Sequence, residues 1–119
     1  MEVKRLHIEG QNLNLLVDLL RDKLPDCYVY TSGNIVVLAS EKFYLRIESN
    51  LLTTVILNIA GKDRYEIEIV TGGGALGLLG ITWGAERHRS EEIVRFLEEI
   101  CTSNSWTLTR QPSPDLRLP

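Results

Sequence analysis

Residue types that mark several specialised protein classes are scarce in this sequence. Its 119 residues include two cysteines, Cys27 and Cys101, too few and too far apart for a CxxC redox pair or a zinc site. A chain of this length buries roughly two-thirds of the surface that its unfolded form exposes, so a core can form without disulfides or a metal. We therefore expect two free thiols and no metal ligands.

An excess of basic residues and long apolar runs are also missing. Lys and Arg number 13 against 16 Asp and Glu, which gives a formal net charge of −3. Binding to nucleic-acid phosphates needs a clustered positive surface, so we expect no nucleic acid partner. The apolar runs end well before the roughly 18 residues of a membrane-spanning helix, and the amino end lacks the pattern of a secretion signal. The sequence thus predicts a cytoplasmic protein with no membrane partner.

Hydrophobic periodicity divides the chain into strands and helices. Residues 3–8 alternate as a short strand. Leucines at three- and four-residue spacing predict a helix from Asn12, a favourable N-cap residue, to Leu24, where Pro25 ends it. Ser90 is predicted to cap a second helix. The inward positions of that second helix are Ile93, Phe96, Leu97 and Ile100.

Between these helices the period changes to two, as in an antiparallel meander. The predicted turns lie at residues 32–34, 40–41, 49–50 and 61–63. Apolar and charged residues alternate over 43–48 and 64–69, which predicts one buried and one solvated face. The strand at 35–39 has no polar position, so we expect it to be covered on both sides or to lie at the centre of the sheet beneath another element.

The order of these elements predicts an α+β domain over residues 1–110, followed by a proline-rich tail over 111–119. We expect an antiparallel meander of five or six strands with two helices packed on one face. This layout is similar to a reduced helix-grip or a two-layer sandwich.

Glycines recur in residues 71–84, and Gly72, Gly74 and Gly77 have the spacing of a dinucleotide fingerprint. That fingerprint needs a helix directly after it, whereas residues 78–84 have the pattern of a strand. We therefore predict a bulged or close-packed strand here, with no cofactor.

Candidate catalytic groups do not converge in the sequence, and we assign no catalytic residue. His88 stands between Arg87 and Arg89 in a charged run typical of a solvated helix cap. Cys101 lies far from the helix N-terminus that would stabilise its thiolate. A hydrolase with an unrecognised His/Cys site stays a weaker alternative.

A glycine run leads into Trp83-Gly84-Ala85-Glu86 ahead of the closing helix. This Gly-Gly and Trp-Gly-x-Glu pattern resembles a family of small prokaryotic proteins, with architecture matching over residues 3–101. The resemblance supports the fold and implies no activity, since that family has none established. The charged residues 87–89 and the proline-rich tail depart from its pattern.

We expect a non-enzymatic binding or assembly module. The alternative is a carrier that holds a small apolar ligand between the sheet and the closing helix. Strand alternation can send only about half of the apolar side chains in the glycine-rich segment into the core. The rest would cover a cavity or be buried in a two-fold homodimer, which we favour. The alternative is a kink at Gly77 and Gly80 that turns all of them inward. The predicted surface comprises Leu76, Leu78, Leu79 and Trp83, with Arg87 and His88 on its rim.

Overall fold

Alternating apolar and polar residues build the strands of one antiparallel sheet. The computed structural model describes residues 1–44, 49–72 and 84–112. Within these ranges the strands are β1 (Glu2–Glu9), β2 (Tyr28–Ser32), β3 (Ile35–Tyr44), β4 (Ser49–Gly61), β5 (Arg64–Gly72) and β6 (Thr107–Gln111). The helices are α1 (Leu16–Arg21), which follows a 3₁₀ turn at Leu13–Leu15, and α2 (Ala85–Asn104). The predicted α+β class is confirmed.

The strands lie in the order β2-β3-β4-β5-β1-β6. β2 to β5 are neighbours in the order of the chain, and β1 lies between β5 and β6. β1 pairs antiparallel with both β5 and β6. Both helices contribute to the core on one side of the sheet, which we call the inner face. The opposite side is the outer face. In the described ranges, no helix is both long and apolar enough to cross a membrane.

The inner face is formed by alternate residues of each strand, as the periodicity predicts. On β5, Tyr65, Ile67 and Ile69 are buried. On β1, Leu6 lies opposite Ile67 and Ile8 lies opposite Tyr65. All four residues belong to the same apolar cluster. The buried positions of α2 that complete this cluster are Ile93, Val94, Leu97, Ile100 and Cys101.

Trp106 fastens the end of α2 to the loop after β1. Its indole Nε1 donates a hydrogen bond to the carbonyl oxygen of Gln11 at 2.6 Å. A Cβ at Gly10 would lie 2.2 Å from Trp106 Cδ1. Glycine is therefore required at position 10, because the indole ring occupies the space of any side chain there.

The helix boundaries differ from the prediction. The first helix is shorter than residues 12–24, because Asn12 is left-handed at φ 62° and makes no capping bond. Leu15, in the 3₁₀ turn, is 47% exposed. The second helix begins at Ala85 rather than after Ser90. Ser90 is buried inside that helix, so it does not cap it.

The strand boundaries differ as well. The predicted turn at 40–41 is wrong, since β3 continues through Ser40, which pairs with Thr53 on β4. The predicted strand 43–48 is wrong at its start, where Phe43 and Tyr44 end β3, and 45–48 lie outside the described residues. In the strand predicted at 35–39, alternate positions are buried and half-buried. Both described helices lie on the inner face, so full cover of its outer side stays a prediction.

Two neighbouring substitutions on β4 test the assignment of the faces. Leu57 is fully buried on the inner face, whereas Ile56 is half-buried on the outer face. We expect Leu57→Ala to lower the free energy of unfolding by about 2–5 kcal/mol. Ile56→Ala should cost clearly less, because less of its surface leaves water on folding. Urea denaturation measures both, and equal losses would contradict the assignment.

Candidate functional site

The outer face is largely apolar towards β2, where the exposed Glu41 pairs with Leu52, and charged towards β1. Residues that pair directly across strands share a face, so Tyr30, Val37 and Ile56 form one row that continues into Glu68 and Arg5. In this apolar half three large side chains are exposed to solvent, whereas Val37 and Ile56 are half-buried. Tyr28 is 64% exposed, Tyr30 52% and Leu52 46%.

The edge strand β2 continues this apolar half. Its five residues, Tyr-Val-Tyr-Thr-Ser, pair with β3 in unbroken register. They include no charged residue and no proline. Charged residues and prolines normally prevent a sheet edge from pairing with another chain. Within the described ranges, no strand pairs with the other side of β2. We call this feature the β2 edge.

The opposite edge, β6, differs in charge. Arg110 of β6 extends towards α2, where its Nη1 lies 3.2 Å from Glu91 Oε2 and its Nη2 lies 2.9 Å from Glu98 Oε1. A charged side chain that binds its own protein makes an edge less suited to adding a strand. The sheet therefore has one charged edge and one uncharged edge.

The charged half of the outer face satisfies its own charges. His7 Nδ1 lies 2.6 Å from Glu66 Oε1, and His7 Nε2 lies 2.8 Å from Glu9 Oε1. Arg5 Nε donates to Glu68 Oε1 at 2.9 Å. Hydrogen bonds to Glu9 and then to Glu66 raise the pKa of His7. The two carboxylates lie against opposite ring nitrogens, so they do not converge on one metal position.

A shallow concavity of about 370 Å³ joins the two halves of the outer face. Its apolar wall includes Ile35 and Ile56, and its polar wall includes Asn58, Glu66 and Glu68. Among the described residues, no group of three or more His, Cys, Asp or Glu side chains could hold a metal ion. We therefore assign no catalytic centre to this concavity.

A buried row of hydroxyl groups crosses the inner face under α2. Thr53 and Thr71 pair across β4 and β5, and Ser90 Oγ donates to Thr71 Oγ1 at 3.0 Å. Ser40 extends the row on β3 and donates to the carbonyl oxygen of Pro25. All four hydroxyls are buried, and these contacts satisfy them without a ligand.

Arg89 lies beside this row and is the largest buried polar side chain, with 2% of its side chain exposed. Its Nη1 donates to Glu92 Oε1 at 2.5 Å, and Lys42 Nζ contacts the same oxygen at 3.2 Å. Burial raises the pKa of Glu92, and the hydrogen bonds from Arg89 and Lys42 outweigh it, so the net shift is downward.

The other two nitrogens of Arg89, Nε and Nη2, are buried and have no hydrogen-bond partner in the described part of the chain. An arginine stays charged in proteins. Each buried donor left without a partner costs about 1–3 kcal/mol, and more when the group is charged. Sequence reasoning missed this residue because a charged run before a helix suggests a solvated cap. The informative signal is its spacing, four residues from both Ala85 and Ile93 on the buried stripe.

The surface predicted from sequence lies mostly outside the described residues. Leu76, Leu78, Leu79 and Trp83 fall in the range 73–83, as do Gly74 and Gly77 of the predicted bulged strand. The two rim residues, Arg87 and His88, are exposed in the first turns of α2. Arg87 Nε lies 3.7 Å from Glu2 Oε1. The grouping of these six residues stays a prediction.

Both thiols are free, as expected, and neither is activated. Burial and then the nearby charge of Glu98 raise the pKa of Cys101 to about 11. Burial also raises the pKa of Cys27. A nucleophilic cysteine needs a lowered pKa, so these environments disfavour cysteine chemistry at neutral pH.

Comparison with known proteins finds no matching family model, curated protein or solved structure. The resemblance carried by the Gly-Gly and Trp-Gly-x-Glu elements therefore stays a prediction, and function must be argued from the described surfaces.

The contacts of His7 predict that stability depends on pH. A folded pKa above the ordinary value of 6.5 means that this stabilisation is fully present below the unfolded pKa and is lost as the pH rises through the folded pKa. His7→Gln should remove this component from urea denaturation measured between about pH 5.5 and 9. His88→Gln, which leaves the His7 contacts intact, is the control. The same pH dependence in wild type and His7→Gln would contradict the assignment.

The environment of Cys101 predicts slow thiol labelling. With a pKa of about 11, only about one thiol in a thousand is ionised at pH 8. In a Cys27→Ser variant, which isolates Cys101, a disulfide reagent should react slowly with the native protein and rapidly in urea. Fast labelling of the native variant would revive the hydrolase alternative.

Proposed function

We propose that this protein is an assembly module that pairs with a second copy of itself through the β2 edge. The observation that carries the proposal is an uncharged edge strand, open in the described part of the fold, beside exposed Tyr28 and Tyr30. Main-chain donors and acceptors of such a strand favour another strand as their partner. The proposal gives a specific form to the assembly role expected from the sequence.

A second copy fits this edge because antiparallel pairing of two identical strands is symmetric about a two-fold axis. Pairing would extend the sheet from one protomer into the next. Tyr28 and Tyr30 lie on the outer face with Ala39 and Val37 opposite them. The same tyrosines of the second copy would lie beside them, and aromatic pairs across strands stabilise such contacts.

The charged half of the outer face supports this orientation. Arg5, His7, Glu66 and Glu68 are satisfied within one protomer, and the sheet order places them away from β2. Edge pairing therefore leaves these ion pairs in solvent, where they cost nothing in desolvation. Stacking of the two outer faces over β5 and β1 would instead bury them.

The other two functions expected from sequence have less support. A carrier needs space between the sheet and α2, but side chains fill that region. Leu6, Leu57, Ile93 and Leu97 are each at most 1% exposed there. A hydrolase based on Cys27 or Cys101 needs an ionised thiol, which the raised pKa of each opposes. A cytoplasmic location stays part of our proposal, because free thiols are typical of reducing compartments.

Light scattering after size exclusion tests the assembly. We expect wild type to be a dimer and Tyr30→Lys to be a folded monomer, because like charges would face each other across the two-fold axis. Thr109→Lys is the matched control, since Thr109 is the central, exposed residue of the five-residue strand on the opposite edge. This control should remain dimeric.

Three outcomes would contradict the β2 edge as the interface. They are a monomeric wild type, a dimer that Tyr30→Lys leaves intact, and a dimer that Tyr30→Lys and Thr109→Lys weaken equally. Leu79→Asp is tested in parallel, because the surface predicted from sequence is a competing interface. A folded monomer for Leu79→Asp alone would move the interface to that surface.

A further inference from the structure

We propose that Arg89 binds an anion that presents two oxygen atoms, such as a carboxylate or a phosphate. The side chain is 2% exposed, and the Nη1 atom is bound to Glu92 Oε1 at 2.5 Å. Nε and Nη2 are buried and find no hydrogen-bond partner within residues 1–44, 49–72 and 84–112. The proposal is independent of pairing at the β2 edge.

Which nitrogens of Arg89 are hydrogen-bonded and which are not indicates the shape of the ligand. Nε and Nη2 lie on the same edge of the planar guanidinium, and their N–H bonds point in parallel. Two oxygens joined to one carbon or phosphorus atom match this edge in a bidentate contact. A single carbonyl or hydroxyl oxygen would satisfy only one donor well. The geometry therefore favours an oxyanion over a neutral ligand.

The contacts on the other side of Arg89 hold this edge in place. Glu92 lies three residues after Arg89 on α2 and accepts the hydrogen bond from Nη1. Lys42 Nζ, from β3, lies 3.2 Å from the same Glu92 oxygen. A guanidinium fixed at one nitrogen and enclosed by packing loses little further freedom when a ligand binds. Glu92 acts as a positioning residue in this arrangement.

The start of α2 adds to the attraction for an anion. Arg89 is the fifth residue of a helix that begins at Ala85. The first turn of a helix carries partial positive charge from backbone N–H groups without partners in the helix. This partial charge has the same sign as the guanidinium, and burial of the guanidinium strengthens its attraction for an anion because water is excluded.

The experiment follows the Nε–H signal of Arg89 by ¹H–¹⁵N NMR while sodium phosphate or sodium acetate is added to the full chain. Sodium chloride keeps the ionic strength constant, so that general screening does not change during the titration. We expect a saturable shift of this signal. Arg89→Lys should weaken binding by about tenfold or more, because lysine keeps the charge but lacks the paired donors.

Arg95→Lys is the matched control, since Arg95 is exposed on the same helix, and it should bind as wild type does. Saturation by phosphate alone assigns a phosphate group as the ligand, and saturation by acetate alone assigns a carboxylate. Either supports the proposal. An unshifted Arg89 Nε–H signal with both anions would overturn it, as would unchanged binding by folded Arg89→Lys. The wild-type titration decides the question even if Arg89→Lys unfolds.

Discussion

The apolar stripe of α2 is buried against the inner face of the sheet, and the other features of the fold depend on this contact. Ile93 and Leu97 are fully buried against strands that are distant in sequence. Each such side chain contributes roughly 1.5–3 kcal/mol relative to exposure. The same helix leads the chain to β6, which pairs with β1. Trp106 then fills the space over Gly10. The packed helix therefore brings the chain back to β1, where β6 forms the second edge of the sheet.

A sheet packed on one face leaves its outer face and its edges to be stabilised in other ways. Towards β1 the outer face is polar, and its charges bind one another, as Arg5 binds Glu68 and His7 binds Glu66. Towards β2 the side chains are apolar, and a hydrocarbon surface has no equivalent means of satisfying itself within one protomer. Exposed Tyr28 and Tyr30 adjoin the uncharged edge there. This difference between the halves is the reason that we propose the β2 edge, and not the face over β1, as the interface.

Hydrophobic alternation along the sequence predicted those features of the fold that depend on neighbouring residues. Alternation over β5 correctly assigned Tyr65 and Ile67 to the core, because a strand with one buried face must alternate. The turn expected at Ser40 was wrong because a polar residue inside a strand resembles a turn signal. Its hydroxyl is buried and bonds to the carbonyl oxygen of Pro25, a contact that depends on tertiary structure. The β2 edge also depended on strand order, which the sequence left open.

The sequence pattern did not reveal Arg89, whereas the energetic cost of burying its charge does. A leucine at position 89 would extend the apolar stripe between Ala85 and Ile93, and exchanging buried charges for apolar side chains is often neutral or stabilising. An arginine with two buried donor nitrogens that find no partner among the described residues is a poor choice for stability alone. Glu92 accounts for one nitrogen and fixes its position, but it leaves the bidentate edge of the guanidinium unused. A bound oxyanion would recover that cost, so a side chain that is costly for folding is suited to recognition.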